Sequence, residues 1–193
     1  MRAWTKDDYI TPLWFLDLVR GVFRDRIVGD MAWDNPWYGM PVWMAHPMEA
    51  LQGAYFCNPP YSDIPPWIEK AFRLHDSGAS VLLLLPANTD TKWFHRLAKR
   101  ATLCFWKGRI KFLKPLMQKR DCPSVMATVN EYEVVDCSIC KGRGWAYTQE
   151  PVFPVLLEED PAPRHLPLVA FLPRNVEDEQ RFTKVFQSYG TIF

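Results

Sequence analysis

The sequence predicts an α/β fold, a mostly parallel sheet with helices on both faces, and three observations carry that reading. Strand-like and helix-like segments alternate from residue 54 onward, with helical intervals of roughly 10 to 15 residues. Residues 81–85 form a continuous apolar run between Ser80 and Pro86, the mark of a strand buried on both faces. Hydrophobic residues are 48% of the chain and charged residues 23%, which provides a real core and excludes a disordered or fibrous protein. A length of 193 residues suits one domain with a small appendage. We expect residues 1–130 to form the core and residues 131–193 a small C-terminal extension.

Each element has its own signal. Thr11-Pro12 opens a helix: Pro suits the first helical position and Thr the cap before it, and Leu13, Leu16, Leu18, Val19, Val22 and Phe23 follow as an apolar stripe. Ile27-Val28 reads as a short buried strand ending at Gly29-Asp30. Residues 31–48 hold Trp33, Trp37, Tyr38 and Trp43 among Pro36, Pro41 and Pro47, which suits an ordered irregular segment better than helix or strand. Residues 54–57 form a strand broken by Asn58-Pro59-Pro60-Tyr61-Ser62, and a helix starts near Pro66 and stops around Gly78. After the buried run come a helix over 91–100, with Asp90 or Thr91 as its cap, a strand at 103–106 and a turn at Gly108. Strands follow at 110–112 and 125–129. Beyond residue 131 lie Cys137-x-x-Cys140, apolar pieces at 152–157 and 166–172, and an amphipathic helix over 176–188.

Charge is segregated in this chain. The 23 Lys+Arg and 22 Asp+Glu sum to +1. Yet ten basic residues lie between Lys92 and Arg120 without a single Asp or Glu among them. Such a stretch can present a basic face that holds a phosphate backbone with salt-sensitive affinity, or it can be an ordinary solvated surface. No apolar run approaches the roughly 18 residues of a membrane helix, and MRAWTKDDY lacks the apolar stretch of a signal peptide, so a cytoplasmic protein without a membrane partner is expected. Five cysteines, an odd and scattered set, fit reduced thiols or a metal site rather than a secreted disulfide framework. Cys137 and Cys140 are the candidate metal ligands. Two thiolates fill half of a tetrahedral zinc site, and a reduced hairpin without metal is the alternative.

Asn58-Pro59-Pro60-Tyr61 at the end of an apolar strand is the most informative motif. Chance yields a given tetrapeptide in a chain of this length on the order of once per thousand sequences. Pro-Pro makes a rigid turn, but a turn alone requires neither the strand before it nor the aromatic after it. These residues resemble the catalytic motif of amino methyltransferases that use S-adenosyl-L-methionine (AdoMet). NPPYSDIPPWIEKA, VLLLLPANTDTKWFH, FWKGRIKF and Cys122-Pro123-Ser124-Val125 together resemble the phage-type, Dam-like DNA N6-adenine methyltransferase family, in the same order and at similar intervals.

The resemblance implies a Rossmann-like methyltransferase fold, AdoMet as co-substrate and double-stranded DNA as partner, in a phage or restriction-modification setting. It implies that the Asn58 oxygen and the Pro59 carbonyl, set by Pro60, accept the N–H bonds of a flipped-out adenine while Tyr61 stacks on it. Thr11, Pro12 and Asp30 then belong to the cofactor end, with Ala32, Asp34 and Glu49 as further candidates, and Lys92, Arg96, Lys107, Arg109 and Lys111 are candidate DNA contacts. The glycine-rich turn common to methyltransferases in general, Asp-x-x-x-Gly-x-Gly, is missing after Asp30. Cytosine N4 or a protein glutamine as acceptor, or a methyltransferase-like DNA-binding protein without turnover, are the alternative readings.

Overall fold

A computed structural model of the protein describes residues 9–24, 26, 28–32, 44–45, 53–115, 117–121, 145–151, 157–159 and 165–193. The expected strand at 125–129, the candidates Asp34 and Glu49, and the Cys137/Cys140 pair lie outside them. The strands are β1 (Val28–Asp30), β2 (Met44–Ala45), β3 (Ala54–Cys57), β4 (Ser80–Pro86), β5 (Thr102–Trp106), β6 (Leu113–Pro115), β7 (Met117–Asp121), β8 (Trp145–Pro151), β9 (Leu157–Glu159), β10 (Pro167–Leu172) and β11 (Gly190–Ile192). The helices are α1 (Leu13–Phe23), α2 (Pro65–Asp76), α3 (Lys92–Leu97) and α4 (Val176–Phe186).

The main sheet has the order β11-β5-β10-β4-β3-β1-β2. From β2 to β4 every pairing is parallel. β10 then runs antiparallel between β4 and β5, and β11 antiparallel outside β5. The sheet is therefore mixed, where a mostly parallel one is expected from the alternation of elements. Both antiparallel strands come from the C-terminal region: in β10, residues 167–172 are wholly apolar and buried, and they pair between β4 and β5. From the same region, α4 and β11 are also built into the sheet and its cover. Met44–Ala45 pairs with β1, so a strand interrupts the segment expected to be irregular.

β4 shows how the layers form. Leu82 and Leu84 point to one face, against Phe15, Val19 and Phe23 of α1 and Phe182 and Phe186 of α4. Val81, Leu83 and Leu85 point to the other, against Ile68 and Phe72 of α2 and Phe94 and Leu97 of α3. Each such buried side chain contributes about 1.5–3 kcal/mol through apolar area removed from water. Helices thus cover both faces. α1 begins differently from expectation: Pro12 is the cap residue, no side chain caps the helix, and Leu13 is half exposed while Phe15 is the fully buried member of the first turn. Thr91 caps α3 as expected, accepting from the Phe94 amide, though the helix ends at Leu97 and continues only as turns. Residues 110–112 are not a strand. Ile110 and Phe112 pack by side chain, and ladder pairing starts at Leu113, which exchanges both backbone bonds with Ile10.

Candidate active site

The chain leaves β1 toward β2 on one side, and β3 pairs on the other side of β1. A crevice opens at the carboxyl ends of strands where connections diverge in this way. Asp30 ends β1 and Asn58 follows β3, and the β1–β3 register pairs Asp30 with Phe56, two residues before Asn58. The Met31 amide donates to the Phe56 carbonyl at 2.8 Å and closes the floor between them. The extended segment before α1 enters from the side, held by the Ile10–Leu113 bridge. It brings Thr11 within reach of Asn58, whose Nδ2 donates to Thr11 Oγ1 at 3.1 Å. Asn58 Oδ1 is buried and has no partner among the described residues.

Asp30 is 9% exposed, and its Oδ1 accepts from the Ala32 amide at 3.0 Å. Burial pushes its carboxyl up to about 6, opposed by that hydrogen bond and by the charge of Lys70. Lys70, on α2, donates to the Met31 carbonyl at 3.3 Å and lies over the Trp67 ring. Burial, with Asp30 nearby, also pushes the Cys57 thiol well up. The thiol stays protonated at neutral pH and is no nucleophile. The Tyr61 phenol is likewise raised by burial, and its ring packs edge to face with Phe112 (centroids 6.3 Å) and His165 (5.5 Å). His165 arrives because Leu166 accepts the Ala87 amide at the end of β4. This end of the sheet therefore carries a buried carboxylate, a buried acceptor without a partner among the described residues and a ring packed between two others, chemistry suited to a ligand that offers N–H or O–H donors and a flat face.

Of the expected site residues, Asn58, Pro59, Pro60, Tyr61, Thr11, Pro12, Asp30 and Ala32 come together at this end of the sheet. Lys107 and Arg109, both exposed, follow the carboxyl end of β5 on the same side, and exposed Lys92 opens α3 after β4. The acid-free basic stretch is partly neutralised by other elements. Arg96 pairs with Glu69 and Arg100 with Asp76, both acids on α2, and Lys111 pairs with Glu159 of β9 at 3.1 Å. Sequence reasoning misses Lys70, Cys57, Phe112 and His165. His165 stands 104 positions from its neighbour Tyr61, and no spacing signal links them. Among the described residues no group of three or more His, Cys, Asp or Glu is placed to hold a metal ion, and no helix is long and apolar enough to cross a membrane.

A family model described as DNA N-6-adenine-methyltransferase (Dam) matches residues 4–132. No curated protein and no solved structure matches the chain.

Proposed function

The chain belongs to the DNA N-6-adenine-methyltransferase (Dam) family, and from that premise we propose that it transfers a methyl group from AdoMet to the N6 amine of an adenine flipped out of duplex DNA. The observation that carries the reading is the buried Asn58 Oδ1, without a partner among the described residues, at the carboxyl end of β3. A buried acceptor left unsatisfied costs roughly 1–3 kcal/mol, which a ligand N–H can recover. Asp30 fits the cofactor end: a buried carboxylate takes hydroxyl or amino donors, and the start of α1 beside Thr11 and Pro12 suits a ligand carboxylate. The mixed sheet, with its parallel half and helices on both faces, is compatible with the Rossmann-like reading.

AdoMet supplies an electrophilic methyl group when bound. The acceptor amine is a poor nucleophile because its lone pair is spread into the ring. Asn58 Oδ1 and the Pro59 carbonyl accept its two N–H bonds, which aims the lone pair and stabilises the positive charge that grows on nitrogen. Proline at 59 and 60 brings no backbone N–H to compete for those acceptors. Tyr61, held by Phe112 and His165, offers a face to the base and remains neutral. Lys92, Lys107 and Arg109 lie where a phosphate backbone approaching this end would meet them.

The experiment is incubation with labelled AdoMet and unmethylated duplex DNA, followed by digestion to nucleosides. We expect label in N6-methyladenosine, with Asn58→Ala lowering turnover by about 10²–10³-fold and leaving DNA affinity nearly unchanged. Label in N4-methylcytidine or in protein would redirect the substrate. An undiminished rate in Asn58→Ala would sink the mechanism.

A further inference from the structure

We propose that the row Trp14, Trp106 and Tyr189 is a stacking platform for the bases of single-stranded nucleic acid, with Lys107 beside it as a phosphate contact. The platform needs no methyl transfer and none of the Asn58 chemistry. Unpaired bases are flat, carry a π-face on each side and are strung on an anionic chain, so a surface that holds them combines exposed aromatic rings with cations. A duplex hides every base face except the terminal ones.

Three distant parts of the chain build the row. Trp14 lies in the first turn of α1, Trp106 ends β5 and Tyr189 precedes β11. Trp106 and Tyr189 are stacked, with centroids 5.0 Å apart and planes 15° from parallel, and Trp14 lies 5.8 Å from Trp106 at 41°. The outer members are open to solvent, Trp14 at 45% and Tyr189 at 37%. Backbone bonds hold the row in place: the Lys107 amide donates to the Tyr189 carbonyl at 2.8 Å and the Tyr189 amide to the Phe186 carbonyl at 2.9 Å. From within, Phe15 packs on Trp14 and on Trp106 at 5.9 and 5.7 Å, so the rings have little freedom left to lose on binding. The surroundings are basic. α1, residues 107–109 and residues 187–189 carry Arg20, Lys107 and Arg109 against one acid, Asp17, and exposed Lys107 follows Trp106 directly. That sign favours a polyanion over a neutral proline-rich peptide. It also disfavours a second copy of this chain, whose matching face would bring like charges together.

The test is equilibrium binding of the full chain, without AdoMet, to two labelled strands of about 12 units, oligothymidylate and an abasic phosphodiester chain of the same length. They carry the same phosphates and differ only in the bases. The wild type should bind oligothymidylate at least about fivefold more tightly, the least that one base–aromatic stack supports. Trp14→Leu and Tyr189→Leu keep apolar bulk but lack an aromatic face. Each should shrink the preference while leaving abasic affinity within about twofold, and Trp14→Phe and Tyr189→Phe, which keep a ring, should retain it. Lys107→Ala should weaken both strands alike and lower the salt dependence of binding. A wild type that holds both strands equally would overturn the proposal, as would a preference that survives the Trp14→Leu/Tyr189→Leu double variant. A wild type that sediments as a dimer, with Trp14→Lys as a monomer, would give the face to a second copy and overturn it too. Turnover plays no part in these measurements, so a protein that methylates no DNA fails the reading at Asn58 alone, and the strand comparison still decides this one.

Discussion

At the residue scale, the chemistry concentrates in side chains that the fold strips of water. Asp30 is the clearest case. Burial raises its carboxyl to about 6 from an ordinary 3.8, so between those values the folded protein holds a proton that the unfolded chain releases. For this group, stability is greatest below about pH 4 and falls as the pH rises through 6, by roughly 3 kcal/mol in all. Asp30→Asn should therefore flatten the stability profile between about pH 4 and 6, read as the urea midpoint at each pH. If the carboxylate takes cofactor donors, the same variant should weaken AdoMet binding most above pH 6. Parallel profiles for wild type and variant would mean that another group titrates there. The Asn-Pro-Pro-Tyr motif was legible because its residue types are tied to one chemistry, and Asp30 because it ends a recognisable strand. Lys70, Phe112 and His165 were not, because each reaches the site only through the packing of an element whose own sequence says nothing about it.

At the element scale, local pattern and tertiary demand agree where burial is symmetrical. β4 reads as buried on both faces and is so, between α1 and α4 on one side and α2 and α3 on the other. They part at residues 110–112, where an apolar strand pattern is satisfied by side-chain packing, and at α1, where Thr11 serves the strand motif rather than the helix. β11 was not foreseen at all. Gly-Thr-Ile is too short to carry a period, and what admits it is a close approach to β5: a Cβ at Gly190 would strike the Phe105 carbonyl and the Cys104 sulfur. Gly190→Ala should therefore lower stability by about 1–3 kcal/mol, measured as a shift of the urea midpoint, because the obstacle is backbone that cannot move aside cheaply. An unshifted midpoint would show that the edge pairing yields.

At the scale of the whole molecule, a buried ion cluster on Asp178 ties distant parts together. Its carboxylate, 0% exposed, accepts from Ser80 at the start of β4 at 2.5 Å and from Arg26 just beyond α1 at 2.9 Å. Arg181 of α4 and Arg174, 3.4 Å away between β10 and α4, complete the cluster. Burial alone would raise this carboxyl, but the Ser80 hydrogen bond and the Arg26 and Arg181 charges outweigh it and hold it below the usual range. Asp178→Ala should cost about 3 kcal/mol in chemical denaturation, since it leaves the largely buried Arg26 guanidinium and the Ser80 hydroxyl without their acceptor. A loss below 1 kcal/mol would mean that water reaches them. This cluster joins residues up to 152 positions apart, and no local pattern announces it. The same holds for β10, read correctly as an apolar piece but not as the strand between β4 and β5. By itself the sequence determined the α/β class, the buried central strand and the Asn-Pro-Pro-Tyr motif at a strand end, because each depends on neighbours within a few residues. Tertiary structure decided the mixed sheet, the return of the C-terminal region into the core and the partner of Thr11, because hydrogen-bond ladders and buried charges are satisfied across the fold rather than along the chain.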